Sequence, residues 1–543
     1  MGKAFFRIFL LLFIGVHSLS AQNALPVVSN THAVIDTIAH SIKIFYDVED
    51  ADNDPLEITF AVSNDSGLTF LVDVAGTEGD AGFPVTPGAV KIITCNYDPA
   101  TAGFLSGFTN FAVKISADDL QEINIQDIVD KVDAAGLWTD LLMIEGTRNR
   151  TNGLQHLLNV RDTLSNRTKS NGLQYRLNEF TFSNFACQNI IGRLPGLTNE
   201  KATILITGHY DCATQGPGAD DNGTAVAGVL QAIKVLNQYT FNKSIEFVFF
   251  DVEEDGLIGS KRYVQHDVPA YSQIEGVLNF EMIGFYSDAN NSQLVPAGFS
   301  TLFPDAVASI EAQQNKGNFI LNVANTNSNS LRFVFDSCAA DYVPALRVIS
   351  LAVSGTGAAV PIFRRSDHAP FWDDGLKALM LTDGAETRNT SYHTANDVSS
   401  ILNQQFFTNV VKATIATVAR LCEPIHAGFE TSGEFEFEAA TGVDIDHTLP
   451  VSFSICQNYP NPFNPSTRIN YNIGNESKVK LTVYNYLGEK VCNLFDNIQS
   501  PGEHNVTWNT DGFASGIYIL RAEIYDSNSG KLSTKSIKMS FIK

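Results

Sequence analysis

Histidines and carboxylates are concentrated in a few short polar segments between residues 208 and 394. The segments are residues 208–211, residues 218–223, residues 251–256, the single residue Glu281, and residues 392–394. Imidazole nitrogen and carboxylate oxygen are ligands of zinc, and a catalytic zinc site keeps one position for water. Two zinc ions can share a bridging carboxylate and a bridging water. Two histidines, three suitable carboxylates and a spare glutamate therefore favour a two-zinc site.

The alternative to a metal site is that these polar residues are ordinary solvated surface residues. A pair of neighbouring acidic residues such as Glu253 and Glu254 is usually just solvated. The position of the segments argues against it here, because each lies after a predicted strand or at the start of a predicted helix. That arrangement favours a shared site at one edge of a sheet.

Alternating strand and helix patterns position these segments. Short apolar runs at 202–207, 244–250, 277–280 and 378–382 predict buried strands, and apolar spacing predicts helices over 223–239 and 401–421. Strands that alternate with helices indicate an α/β layer fold with a largely parallel sheet over residues 118–425.

The same segments carry motifs that can be compared with known families. They are GHYD, PGADDNGTA, DVEEDGLIGS, LNFEMIG, RRSDHAPFWDDG and RNTSYHTANDV, in chain order. In this order they resemble the dizinc exopeptidases that include bacterial leucyl aminopeptidase, glutamate carboxypeptidase and glutaminyl cyclase. The resemblance implies a three-layer α/β sandwich with a mixed, mostly parallel sheet.

The resemblance also implies a role for each metal ligand. His209 and Glu281 would bind one Zn²⁺ ion, Glu254 and His393 would bind the second, and Asp221 would bridge both. Many aminopeptidases of this family have aspartate where Glu281 stands, but glutamate also binds zinc.

Three further roles follow from the resemblance. Glu253 would be the general base, and Asp211 would orient His209. Tyr392 is a candidate donor to the oxyanion, although a packed aromatic ring is an equal alternative. A cis peptide is expected at Asp221–Asn222.

Regions with different patterns flank the α/β segment. Residues 1–21 have the basic start, short apolar core and small-residue end of a signal peptide. Residues 25–117 alternate like strands and weakly resemble a fibronectin-like or immunoglobulin-like β-sandwich. Residues 426–450 are polar and without period, which predicts a linker.

Residues 451–543 return to strand-like alternation and predict a second β-sandwich. The segments QNYPNPFNPST, YNYLG and GIY resemble the C-terminal sorting domains of the type IX secretion system. That resemblance implies contact with secretion machinery and a secreted or surface-attached protein. A plain adhesion or spacer module is the alternative.

Charge and composition exclude other classes of function. The formal net charge of −23 disfavours nucleic-acid binding, because the protein's field repels phosphates. After the signal peptide, no segment is long and apolar enough to predict a transmembrane helix. The seven cysteines form no CxxC pair, so a zinc ribbon is not expected.

The predicted function is a secreted aminopeptidase that acts on peptides. A carboxypeptidase, a dipeptidase or a glutaminyl cyclase could use the same scaffold, and an inactive binding or adhesion protein could retain it.

Overall fold

The structure is a computed structural model that describes residues 23–99, 102, 110–438 and most of 453–541. Gaps in the last range fall at 456–457, 459–460, 462, 474, 486–489, 511 and 527–531. The predicted signal peptide and residues 439–450 of the predicted linker lie outside the described residues.

Seven strands form the N-terminal region. They are β1 (Val27–Asp36), β2 (Ser41–Glu49), β3 (Leu56–Ser63), β4 (Val74–Gly79), β5 (Gly82–Val85), β6 (Gly88–Tyr97) and β7 (Ala112–Asp118). The alternation predicted from the sequence is present, since Ile42, Ile44, Tyr46 and Val48 on β2 are all buried.

The central region alternates helices and strands. The helices are α1 (Ile125–Val129), α2 (Ala134–Ile144), α3 (Leu154–Ser170), α4 (Ala225–Leu236), α5 (Ile258–His266), α6 (Phe299–Leu302), α7 (Pro304–Glu311), α8 (Asn329–Tyr342), α9 (Ala369–Asp373) and α10 (Gln404–Cys422). The strands are β8 (Gln174–Phe182), β9 (Phe185–Leu194), β10 (Asn199–His209), β11 (Thr240–Phe241), β12 (Lys243–Phe250), β13 (Gln273–Glu281), β14 (Ile320–Asn325), β15 (Val348–Val353), β16 (Ala378–Thr382) and β17 (Pro424–Ile425). The four predicted strands are β10, β12, β13 and β16.

Eight of these strands form one mixed sheet in the order β15-β14-β16-β13-β10-β12-β9-β8. Four of its pairings are parallel, including those of β10 with β12 and with β13. The other three are antiparallel. The sheet is therefore mixed and mostly parallel, as the sequence predicts.

Helices cover both faces of this sheet. Along β10, Ile204 and Ile206 belong to the core shared with α2, α4, α8 and α10, and Leu205 belongs to the core shared with α5, α7 and α9. Because both faces of a strand are buried, its residues are apolar without alternation.

The prediction of a linker over 426–450 is wrong for residues 427–437. These residues form β18 (Ala427–Ser432) and β19 (Phe435–Phe437). β18 pairs antiparallel with β7, and β19 pairs parallel with β1. The chain thus returns after α10 to complete both N-terminal sheets, whose orders are β19-β1-β2-β6-β4 and β18-β7-β3-β5. The two sheets share one buried core.

The C-terminal region contains β20 (Phe453–Ile455), β21 (Ser466–Ile473), β22 (Ser477–Asn485), β23 (Lys490–Gln499), β24 (Gly502–Asn509), β25 (Gly516–Asp526) and β26 (Leu532–Phe541). These form sheets of order β20-β21-β24 and β23-β22-β25-β26 around one core. On β25, Tyr518 and Leu520 are buried, whereas Ile517 and Ile519 are 45% and 37% exposed.

Neither a helix fit to span a membrane nor a disulfide is found among the described residues. Within them, no helix combines the length and apolar character that a membrane crossing requires. Their six cysteines are free thiols, five of them buried.

Candidate active site

Strand ends bring the predicted site residues to one edge of the mixed sheet. His209 is the last residue of β10, and Glu281 is the last residue of its parallel neighbour β13. On the other side of β10, β12 ends at Phe250, just before Glu253 and Glu254. Carboxyl ends of neighbouring parallel strands share an edge, so these side chains lie close together.

The turns at this edge contain unusual backbone conformations. Val252, Met282 and His393 have left-handed φ values of 59°, 52° and 56°. Such a conformation costs a non-glycine residue about 1–3 kcal/mol and persists only where surrounding contacts fix it. Here it occurs in the turns beside Glu253 and Glu281, and at His393 itself.

Five predicted residues form two overlapping groups that could hold a metal ion. One group is His209, Asp221 and Glu281, and the other is Asp221, Glu254 and His393. In each group, one ligand atom per residue lies within 4.8 Å of the others. Asp221 is common to both.

The two oxygens of Asp221 face different histidines. Its Oδ1 lies 3.5 Å from Nε2 of His209, which is also 3.5 Å from Oε2 of Glu281. Its Oδ2 lies 3.1 Å from Nε2 of His393, which is also 3.1 Å from Oε2 of Glu254. This is the geometry expected of a bridging carboxylate between two cations.

The backbone around Asp221 is held by side chains from distant segments. The Asp397 carboxylate accepts the N–H groups of Asp220 and Asp221 at 2.9 and 3.1 Å. The peptide between Asp221 and Asn222 is cis, as the resemblance predicts. The Asn222 side-chain oxygen accepts the N–H of Met282 at 3.1 Å, which ties this segment to the end of β13.

Asp211 contacts both the first histidine and the glutamate turn. Its Oδ1 lies 3.4 Å from Nδ1 of His209, and its two oxygens accept the N–H groups of Glu253 and Glu254 at 3.1 and 3.3 Å. Burial raises the pKa of Asp211, but the contact with His209 outweighs burial and leaves the pKa below its usual value. A charged Asp211 can therefore orient the His209 ring.

Glu281 is held by two donors. Its Oε2 accepts the Ser366 hydroxyl at 2.7 Å and the Asn222 amide at 3.4 Å. Both donors come from motifs of the predicted site. The oxygen that these uncharged donors hold is the one that faces Nε2 of His209.

Glu253 lies beside the metal groups but belongs to neither. Its Oε2 is 3.9 Å from Nε2 of His209. Burial raises the pKa of Glu253 well above its usual value, and the Glu281 and Glu254 charges add to this although His209 opposes it. A carboxylate with a raised pKa is suited to accepting and returning a proton.

Tyr392 lies next to the second histidine. Its ring stacks on His393 with centroids 3.8 Å apart, and its hydroxyl accepts a hydrogen bond from Arg365 at 3.0 Å. Burial and the charges of Asp221 and Glu281 raise the pKa of Tyr392, so its hydroxyl stays protonated. Arg365 also forms an ion pair with Glu386.

An apolar pocket opens beside these residues, with an empty volume of about 750 Å³. Glu281, Tyr392 and Arg365 form part of its lining. The remaining wall includes Val295, Phe299, Phe303, Val307, Ile310, Leu321, Leu351, Phe363 and Met380. A pocket with an apolar wall and a few polar groups at one side is a typical binding site for a small ligand or side chain.

Sequence reasoning missed one buried residue that holds the site together. The Arg148 guanidinium donates to the carbonyls of Tyr210, Pro217 and Gly218 at 2.8–2.9 Å. It thereby joins the segment after His209 to the segment before Asp221. No local signal marks it, because an arginine in a polar segment is usually solvated.

The donor set fits zinc on its own chemistry. Two imidazoles and three carboxylates are present, and all are nitrogen or oxygen ligands that zinc accepts. In the described part of the chain, Nε2 of His209 and Oε1 of Glu254 are buried without a hydrogen-bond partner. Buried polar atoms are rarely left unpaired, and a cation in each ligand group would satisfy them.

Two family profiles match this chain. The profile of peptidase family M28 matches residues 189–418, and that of the secretion system C-terminal sorting domain matches residues 457–539. The first covers all eight proposed site residues.

Several curated proteins are similar to the central region. An uncharacterized protein, YfbL of Escherichia coli, is 30% identical over 224 residues, which are 39% of this chain and 65% of YfbL. Aminopeptidase YwaD of Bacillus subtilis is 28% identical over 221 residues, which are 40% of each chain. The chain thus spans less than two thirds of either relative.

Solved structures are also similar. An aminopeptidase from Aneurinibacillus sp. strain AM-1 matches with a TM-score of 0.43 and 13% identity, covering 55% of this chain and 97% of that one. A Porphyromonas gingivalis glutaminyl cyclase matches with a TM-score of 0.40 and 16% identity, covering 53% and 99%.

The matched ranges agree with the regions that the sequence motifs single out, and the chain contains a peptidase family M28 domain followed by a secretion system C-terminal sorting domain.

Proposed function

We propose that this protein is a secreted two-zinc aminopeptidase. The observation that carries the proposal is the pair of ligand groups that share Asp221, with Glu253 beside them and outside both. A single metal would need only one of these groups. The intact base and ligand set also argue against an inactive binding protein.

In this proposal each residue keeps one task. His209 and Glu281 would hold one zinc ion, Glu254 and His393 would hold the other, and Asp221 would serve both. Zinc bound there supplies Lewis acidity that lowers the pKa of bound water and polarises the scissile carbonyl.

Proton transfer is assigned to Glu253. It accepts a proton from the attacking water and delivers that proton to the leaving amine. Asp211 keeps the Glu253 turn and the His209 ring in place through the contacts described above. Tyr392 is the candidate donor to the oxyanion, because its protonated hydroxyl lines the same pocket as Glu281.

The apolar pocket supports a substrate with an apolar terminal side chain. Most of its lining is aliphatic or aromatic, and its charged residues are Glu281, Arg365 and Glu386. Burying one Leu or Phe side chain there contributes about 1.5–3 kcal/mol. Peptides that begin with Leu or Phe should therefore be cleaved faster than peptides that begin with Asp.

The test is an assay of the purified full chain on matched peptides, with zinc counted. We expect cleavage of a peptide with a free N-terminus and no cleavage of the same peptide after N-acetylation. Cleavage of the acetylated peptide from its C-terminus would favour a carboxypeptidase instead. Conversion of an N-terminal glutamine to its cyclic form, without peptide-bond cleavage, would favour a glutaminyl cyclase.

The last part of the proposal concerns the two regions that flank the α/β unit. We infer that the sheets on either side of the α/β unit are β-sandwich domains, and that the C-terminal one directs type IX secretion. Deletion of residues 451–543 should leave the protein in the periplasm. Normal export of the truncated chain would refute the sorting role.

A further inference from the structure

A second pocket lies between the N-terminal sheets and the α/β unit. It has an empty volume of about 580 Å³ and is lined by Ala61, Phe70, Leu71, Val72, Asp73, Lys114, Leu197, Thr198, Asn199, Glu200 and Lys201. Glu200 stands near the start of β10 and His209 at its end. Nine residues of extended strand separate them by on the order of 30 Å, so this pocket is distinct from the site above.

Lys114 is a buried cation in this pocket. It is 7% exposed and lies on the face of β7 opposite to Val113 and Ile115, which point into the sheet core. Its ammonium lies 4.5 Å from the centre of the Phe70 ring. Among the described residues, Lys114 forms no ion pair within 4.0 Å, and the charge of Glu200 acts on it from a greater distance. A buried charge is normally paired directly.

Glu200 is the corresponding buried anion. It is 6% exposed, and its Oε2 accepts the N–H of Phe70 at 3.2 Å. Its Oε1 is buried and has no hydrogen-bond partner in the part of the chain that the structure describes. Lys114 and Glu200 therefore face one pocket with opposite charges and no direct contact.

We propose that this pocket binds a small zwitterion, whose carboxylate contacts Lys114 and whose ammonium group contacts Glu200. A free α-amino acid has this chemistry. A simple anion would pair Lys114 and leave Glu200 without a directly bound cation, and a simple cation would do the reverse. A zwitterion pairs both. The apolar wall formed by Ala61, Leu71 and Leu197 leaves room for a small side chain.

The proposal concerns binding and does not depend on the proposed reaction. Free amino acids are also products of an aminopeptidase, so an effect on turnover would rest on the proposed function. Calorimetric titration of the zinc-loaded full chain with glycine and with leucine separates the two ideas. We expect saturable binding that falls about tenfold or more in Lys114→Met and in Glu200→Gln, because each removes a charged hydrogen-bond partner.

Controls make the assignment specific. Peptide cleavage should be unchanged in both variants, since neither residue contacts the candidate active site. Acetate and methylammonium should each bind more weakly than glycine. Lys201→Met is the matched control, because Lys201 lines the same pocket but its side chain is 42% exposed.

Three outcomes would overturn the proposal. They are no binding of either amino acid, binding that persists unchanged in Lys114→Met and Glu200→Gln, or an equal loss in Lys201→Met. The isosteric Glu200→Gln variant keeps the test valid if Lys114→Met unfolds. If the wild-type chain binds amino acids but does not cleave peptides, only the proposed function is contradicted.

Discussion

The two ligand groups that share Asp221 differ in how they are supported. His209 and Glu281 end neighbouring strands, and their side chains are 1% and 9% exposed. Glu254 and His393 lie on turns, and their side chains are 14% and 36% exposed. The first group is therefore fixed by the sheet, whereas the second depends on loops. If the proposed two zinc ions bind here, we expect the buried position at His209 and Glu281 to bind its ion more firmly than the open position at Glu254 and His393.

The largest expected effect comes from removing the shared residue. Asp221→Ala should abolish peptide cleavage and lower the zinc content of both positions, because each loses one carboxylate oxygen. Metal analysis of the purified variant, together with a cleavage assay, measures this. Retention of two zinc ions would show that Asp221 does not bridge.

Removing the base should affect turnover without touching either group. Glu253→Gln keeps the shape of the side chain, and we expect about a 10²–10⁴-fold lower kcat with both zinc ions retained. If zinc were lost from this variant, Glu253 would be a ligand and Glu254 the better candidate for the base.

A smaller change should separate the two positions. Ser366→Ala removes the hydroxyl that donates to Glu281, so only the buried position should weaken, by about 10–100-fold in zinc affinity. Zinc competition with a chelator measures each position. Ser350→Ala is the matched control, because its hydroxyl bonds Asp336, which belongs to neither group. Equal weakening of both positions would contradict the separation.

The smallest effect concerns the open position in the metal-free protein. Burial lowers the pKa of His393, but hydrogen bonds to Asp221 and Glu254 raise it from 6.5 to about 10. A raised folded-state pKa gives stability that is present below pH 6.5 and is lost as the pH rises towards 10.

Denaturant unfolding of the chelator-treated chain at pH 6.5 and pH 10 measures this loss. His393→Ala should lose less free energy of unfolding over the same interval than the wild type, with a small difference because His393 is partly exposed. Equal losses in the two proteins would show that His393 makes no such contribution.

The sequence predicted which side chains lie together at the sheet edge better than it predicted the contacts that hold them. His209 and Glu281 follow apolar strands, and a strand is a local pattern that periodicity reveals. The bonds from Asp397 to the Asp221 segment and from Arg148 to the carbonyls around it join distant parts of the chain. No local pattern reports such contacts.

The return of the chain to the N-terminal sheets is a second feature that local sequence patterns do not reveal. Residues 427–437 belong to a polar segment without a regular apolar period, and such a segment predicts a linker. Their strand structure depends on pairing with β1 and β7, about four hundred and three hundred residues earlier. On β25, both faces carry apolar residues, so alternation alone could not decide which face is buried.

The central claim is that the chain binds two zinc ions through one shared carboxylate. Zinc analysis of the purified full chain, combined with anomalous X-ray diffraction at the zinc edge, tests it most directly. We predict two zinc ions per chain, one beside His209 and Glu281 and one beside Glu254 and His393. A single ion in the fully loaded protein, or zinc found away from Asp221, would contradict the account.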